Sequence, residues 1–408
     1  MALGFSLTNY TAALKKRYAP NFVKSMSYQG APLFAMLKKM EDMGGEKWVQ
    51  PVAYSDSQAI GYTIAAAQDL ADTEYQKIKA FEVTRVKYYG VAHIDAELIE
   101  ASKKDEDAFF RGTTEKIDSV MRSVTERVNV GLYRKGWGAI GQVVETSGTT
   151  LTLSNPQDIV NFHPGMSIAF ADTEDDTALR DSGDTIDVVS VNRSAGTMVL
   201  AENLTTISGI ATLDFLFRVG DREDSATPTR RLIAGLEDWC PQTAPASTSF
   251  FGVDRTSDTR LGGCRFDGSS APIEEALIEA GMLVTREGGK PDVCFMNPSK
   301  YGDLLKALGS KVQYVDVKTA EISFRALELH LPSGTVKVIP DRYCPTNRAF
   351  LLQMDTWTLG SLGTMPRILN LDGLESLRIS NDDGIEVRVG LYGNLICKAP
   401  GWNCNVKL

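Results

Sequence analysis

The chain has 408 residues, of which 43% are hydrophobic and 23% charged, and it carries a net charge of −9. Its length fits two to three structural units, and 35 Gly with 16 Pro suit a turn-rich globular fold while excluding collagen-like and disordered classes. No apolar run approaches the ~20 residues a membrane helix needs. Residues 1–6 lack the charged-then-apolar pattern of a secretory signal, so neither a membrane span nor standard export is expected.

The first 40 residues hold six basic side chains, Lys15, Lys16, Arg17, Lys24, Lys38 and Lys39, and no acid. A basic arm of this kind suits a polyanion or an acidic neighbour. Within it Leu7, Tyr10, Ala13, Leu14 and Tyr18 recur at helical spacing, and Leu33, Phe34 and Leu37 open a second short helix after Pro32. Neither helix is long enough to stand alone.

Alternation with period two then predicts a strand over 47–54 and a longer one over 77–94, joined by a loose loop over 55–73. A lone two-stranded ribbon is marginal in water and calls for a partner surface. Asp95 opens a long helix to about Tyr133, striped by Ile117, Val120, Val124, Val128 and Leu132 and stopped by Gly136 and Gly138. Its length would be on the order of 35 residues, or ~50 Å.

Residues 143–220 carry 11 acids against Arg180, Arg193 and Arg218, a net −8. Six strand candidates, 142–145, 149–153, 166–170, 185–191, 197–201 and 213–219, with a turn at 192–196, predict a small barrel inserted in a larger domain. Phosphates repel carboxylates, so this segment should face away from any nucleic acid, with its acidic loop 172–180 solvated and the most mobile part of the chain. Beyond Asp221 the pattern is α+β. Helices are expected over 272–283 and 298–308, and strands over 335–339, 349–353 and 385–397, the last with one wet face.

No enzymatic motif appears: GxGxxG after a strand, GxxxxGK[ST], HExxH and GxSxG are all absent from the sequence. No catalytic, cofactor-binding or metal site is therefore expected. His93, His163 and His330 lie far apart and read as structural, and six singly spaced cysteines read as free thiols. The acidic run at 172–176 lacks the EF-hand spacing. Asp254-Arg255 and Asp341-Arg342 read as local charge pairs.

Certain stretches resemble one protein family: Pro32-Leu33 with Lys38-Lys39 and Gly44-Gly45, Leu132-Tyr133-Arg134-Lys135-Gly136, Trp239-Cys240-Pro241, Phe250-Phe251-Gly252-Val253-Asp254-Arg255, Gly309-Ser310-Lys311, and residues 388–395 before Ala399-Pro400-Gly401. With the order of parts, they make the chain similar to major capsid proteins of tailed bacteriophages with the Hong Kong 97-like fold, in a subfamily with an inserted β-barrel. The resemblance implies an α+β fold divided as N-terminal arm 1–43, E-loop ribbon 44–94, spine helix 95–137, inserted barrel 138–220, P domain 221–270, A domain 271–350 and return strands 351–408.

It further implies a non-enzymatic head protein that self-assembles into hexamers and pentamers around packaged double-stranded DNA. The resemblance implies a portal protein as partner and leaves room for a decoration protein; with no scaffolding segment preceding the arm, scaffolding would be a separate protein or absent. DNA contact would be non-specific and the arm inter-subunit or lumenal, with assembly in the bacterial host cytoplasm and residence in the virion capsid. Some relatives cross-link an E-loop Lys to a neighbour's Asn with help from a Glu. Lys77 and Lys79 are the available lysines, but no motif fixes the other two, so no cross-link is expected. Two alternatives remain, an encapsulin-type nanocompartment shell and a glycan-binding module or enzyme built on the barrel.

Overall fold

The computed structural model describes residues 31–408 apart from 72–74, 96, 98–111, 176, 247–248, 310–313, 320–321, 333, 371–372, 374–375 and 380–382. The chain is a mixed α+β protein built on two open sheets, a two-stranded ribbon and a closed six-stranded barrel.

The first sheet is organised by the 14-residue strand Gly384–Cys397. It pairs antiparallel with Val86–Asp95 over ten residues, from Gly384↔Asp95 to Gly393↔Val86, and along its other edge with Trp357–Ser361. The helix Gly112–Tyr133 lies across Val86–Asp95 at Gly90, where a Cβ would come within 2.5 Å of a Val120 methyl. Only glycine permits that approach. Expected to begin at 95, the helix starts at Gly112 in the described chain, and 98–111 lie outside the described residues.

The expected strand over 77–94 is two strands, Lys77–Thr84 and Val86–Asp95. Buried positions fall at Phe81 and Val83 before Arg85 but at Val86 and Tyr88 after it. Since side chains alternate with period two, that change of parity requires a break. Only the first strand belongs to the ribbon, pairing with Lys47–Ser55. The expected loose loop contains a helix, Ile64–Ala71. Its run of alanines favours helix, and the Thr63 hydroxyl caps it by accepting from Ala66 N at 3.2 Å.

In the second sheet the order is Cys264–Asp267, Cys404–Lys407, Arg348–Leu352, Val293–Met296, Gly334–Pro340, Ile322–Leu331 and Tyr314–Thr319. Helices Ile273–Arg286 and Pro298–Leu308 cover it, burying Leu277, Ala280, Val284 and Leu304 against Met296, Val336, Val338 and Leu351. The six strands expected between 142 and 219 form as Ala139–Ser147, Thr150–Leu153, Ser167–Ala171, Ile186–Asn192, Thr197–Leu200 and Phe215–Arg218. Closure comes from Phe215–Arg218, which pairs with Ala139–Ser147 on one side and Ser167–Ala171 on the other. Val143, Leu151, Phe162, Ile168, Phe170, Val188, Met198 and Leu216 fill the interior.

One further expectation is corrected. Gly384–Cys397 has a wet face only at its start, because from Val389 onward most positions on both faces are buried. Asn394 is tolerated there because its Oδ1 accepts from Ala234 N at 3.0 Å and Leu395 N at 2.9 Å.

Candidate functional site: assembly surfaces and the barrel seat

Four of the six basic residues singled out above, Lys15, Lys16, Arg17 and Lys24, lie outside the described residues. Lys38 and Lys39 are exposed on the short strand Lys38–Met40, which runs parallel to Trp357–Ser361, and Lys39 Nζ sits 4.3 Å over the Phe34 ring. Just before them the short helix Pro32–Met36 is anchored by buried Leu33. Leu33 N donates to Asp341 Oδ2 at 3.4 Å, and the same oxygen accepts from Tyr133 Oη at 2.7 Å. Asp341 Oδ1 accepts from Tyr343 N at 3.0 Å. Asp341 is thus a buried junction that accepts from backbone and hydroxyl donors, with Arg342 acting on it as a nearby positive charge.

Arg255 is likewise no partner of Asp254. Its guanidinium is 4.2 Å above the Phe250 ring and donates to the Asp238 carbonyl at 2.6 Å, and burial lowers it to about 10. Asp254 instead caps the turn that follows, accepting from Thr256 N at 2.9 Å.

The ribbon has a fixed root and an uncovered tip. At the root Phe81 meets Trp239 at 5.1 Å between centroids, and Trp239 meets Phe250 at 5.1 Å and Trp357 at 6.5 Å. This aromatic cluster was not singled out in the sequence, where its members are up to hundreds of residues apart. Lys79, a cross-link candidate, donates to Asp254 O at 3.0 Å and Ser257 Oγ at 2.5 Å within its own chain. At the tip, by contrast, Ile60 is 78% exposed, Tyr62 98% and Ile64 79%, and the helix Ile64–Ala71 buries no residue.

The barrel rests on the end of the long helix through charges. Arg134 Nη2 pairs with Asp158 Oδ1 at 2.6 Å, and Lys135 Nζ with Glu174 Oε2 at 2.5 Å. Two turns earlier Glu126 meets His163 Nε2 at 3.3 Å and Arg127 pairs with Asp221. Burial pushes the Asp158 and Glu174 carboxyls above the ordinary range despite their cationic partners. The acidic loop expected to be free is tied down here by Glu174, and also by Arg222, which donates to the Thr173 and Thr177 carbonyls.

Among the described residues no group of three or more His, Cys, Asp or Glu could hold a metal, and no helix is long and apolar enough to cross a membrane. The six cysteines are free, and all but Cys264 are buried. His330 Nδ1 is 3.1 Å from Thr335 Oγ1 and His93 is 3.9 Å from Glu386, each a local contact. Among the described residues, the geometry leaves a ribbon tip and a cationic strand uncovered.

Solved structures share this fold. Over 97% of its length and 97% of the other chain, the protein superposes on a subunit of the cyanophage A-1(L) capsid asymmetric unit with a TM-score of 0.56 at 12% identity. A subunit of the capsid of a native GTA particle gives 0.50 at 10% identity, covering 100% and 99% of the two chains. An encapsulin from Synechococcus elongatus gives 0.49 at 9% identity over 99% and 96%. A search of curated proteins returns no match. The fold is that of phage capsid subunits.

Residues 212–373 match the family model of the SU10 major capsid protein. That stretch is similar to the SU10 major capsid protein family, and the whole chain shares the fold of the capsid subunits above.

Proposed function

We propose that the subunit assembles head-to-tail into hexamers and pentamers of the Hong Kong 97-like type, closing an icosahedral shell around double-stranded DNA. The observation that carries this reading is the ribbon, whose root is locked into an aromatic core while Ile60, Tyr62 and Ile64 at its tip are left exposed by the described residues. Exposed apolar clusters of this kind mark interaction sites, and heterologous contacts that close by rotation produce rings.

On this reading the chain divides into arm 1–43, E-loop ribbon 44–94, spine helix 95–137, inserted barrel 138–220, P domain 221–270, A domain 271–350 and return strands 351–408. The arm, with Lys15, Lys16, Arg17, Lys24, Lys38 and Lys39, lies on the lumenal side or across an acidic neighbour. The barrel, at −8 over 143–220, projects outward, where it can meet a neighbouring capsomer or a decoration protein. A portal protein is a further partner, assembly takes place in the host cytoplasm, and the protein's work is structural, with no catalytic step.

Electron microscopy of the purified protein tests this. Shells, rings or tubes are expected, and deletion of residues 1–30 should leave a folded subunit that does not assemble. Uniform small monomers from the full-length protein, or normal shells from the deletion, would overturn the corresponding part of the reading.

A further inference from the structure

Among the described residues, the seat of the barrel is rich in charged pairs. Elsewhere elements meet through buried apolar side chains, as the long helix does on Val86–Asp95 and the two later helices do on the seven-stranded sheet. Among the described residues no strand of the barrel packs broadly on a helix or strand outside it. Apolar side chains also meet at the junction, where Val130 and Leu232 share a small cavity with Ile140 and Met166 of the barrel, and the barrel interior joins the body's apolar cluster. The remaining grip comes from the last turns of the long helix, where Glu126, Arg127, Arg134 and Lys135 reach His163, Asp221, Asp158 and Glu174.

A polar cavity of about 240 Å³ lies along this seam, lined from one side by Arg134, Lys135, Glu237 and Arg348 and from the other by Asp158 and Glu174. Arg348 pairs with Glu237 at 3.3 Å, so all three cations have a carboxylate, yet Arg134 Nε and Arg348 Nη1 remain buried without a protein acceptor. A cavity so lined has room and partners for water. Buried ion pairs return little net attraction after desolvation but fix orientation well.

The covalent connections are compatible with turning. On entry Gly136 is held by the body, its N–H donating to Asp238 Oδ2 at 2.6 Å, and Ala139 is already barrel strand. Between them Gly138 sits at φ +93°, a conformation that favours glycine. On exit Arg222 and Asp224 still hold the barrel's loop, Asp224 Oδ1 accepting from Leu179 N at 3.0 Å, whereas residues 225–231 form neither helix nor strand before Leu232 rejoins the body.

We infer that residues 139–224 form a hinged module that pivots on Gly138 and the 225–231 segment, and that Arg134–Asp158 and Lys135–Glu174 are the latch that sets its orientation on the long helix. The latch works by orientation and not by affinity, so the barrel keeps its own fold when the latch is opened.

Hydrogen exchange followed by mass spectrometry on the full-length protein tests this. In the isosteric double variant Asp158→Asn with Glu174→Gln, amides of 134–140 and 219–224 should exchange at least tenfold faster, while those of the barrel strands stay unchanged. The charge-swapped variant Lys135→Glu with Glu174→Lys should return exchange near the neck toward the wild-type rate, relative to Glu174→Lys alone. Unchanged exchange at the neck in the double variant would overturn the latch. Equal acceleration throughout the barrel would overturn the hinge, since the pairs would then be holding the fold. Failure of the swap to improve on the single reversal would refute the Lys135–Glu174 contact as the latch.

Discussion

Tyr133 donates a 2.7 Å hydrogen bond to Asp341 across 208 residues of sequence, joining the last turn of the long helix to the turn that leaves the seven-stranded sheet. Leu33 N reaches the same carboxylate, so one buried acceptor ties three parts of the chain. Tyr133→Phe keeps the ring's packing on Phe295 and Phe350 and removes only the hydroxyl. The loss should be about 1–2 kcal/mol, because a buried carboxylate then lacks its best donor. Urea unfolding should show a lower midpoint at constant slope. An unchanged midpoint would show that the bond is not part of the native balance.

Acid titration should give two effects of opposite sign. Burial raises Asp158, Glu174 and Asp341 above the ordinary values of 3.8 for Asp and 4.5 for Glu, so the folded state binds their protons more tightly than the unfolded chain does. Their contribution is full below those ordinary values and is lost as the pH rises through the raised ones. Asp267 runs the other way. Hydrogen bonds from Ser269, and then Lys407, lower it to about 2, and its contribution is lost as the pH falls through that value. Asp158→Asn with Glu174→Gln should therefore flatten the decline in unfolding free energy above about pH 4. A decline as steep as in the wild type would show that these two carboxyls do not titrate as buried groups.

Trp239 is completely buried between Phe81, Phe250, Phe251 and Trp357. Trp239→Ala should cost about 3–5 kcal/mol, as large aromatic truncations in cores do. It should also loosen the ribbon root, because Phe81 loses its closest ring. Proteolysis within 47–84 at rates like the wild type would argue against that second effect.

Local patterning carried the barrel and the ribbon strands further than it carried the junctions. The hairpin at 192–196 was legible because Asn192 Oδ1 accepts from Ser194 N and Ala195 N and Gly196 takes φ +68°, which are turn chemistry written in adjacent residues. The break at Arg85 was also written there, as the shift from Phe81 and Val83 to Val86 and Tyr88, but it is easily read through as one strand. The Asp341 junction and the packing of Trp239 on Phe81 and Trp357 left no local trace, since those partners come from distant segments. Asp254-Arg255 misled for the same reason: adjacency in sequence suggested a pair, while burial of Arg255 favoured carbonyls and a ring.

Thiol chemistry should be slow and ordered. Cys240, Cys294, Cys344, Cys397 and Cys404 are buried, and Cys264 alone is partly exposed, with burial raising it to about 11. Because the thiolate is the nucleophile, native protein near neutral pH should react first and slowly at Cys264. Peptide mapping after alkylation reads the order, and rapid labelling at any of the other five would show that the core around it opens.

The last prediction concerns the ribbon tip, where stability and assembly should come apart. Tyr62 and Ile64 are 98% and 79% exposed, so Tyr62→Ser with Ile64→Ser removes little buried surface from the described fold, and the melting temperature of the unassembled subunit should move little. If the tip is buried by a neighbour, each side chain contributes about 1.5–3 kcal/mol per contact there. Losing both should raise the concentration needed for assembly by more than about tenfold, since 1.4 kcal/mol is already a factor of ten. Phe81→Ala at the ribbon root is the contrasting variant, because it should lower the melting temperature directly through its loss from the aromatic core. Sedimentation and electron microscopy across a concentration series separate the two. Shells forming at the wild-type concentration from the tip variant would show that the tip makes no contact between subunits.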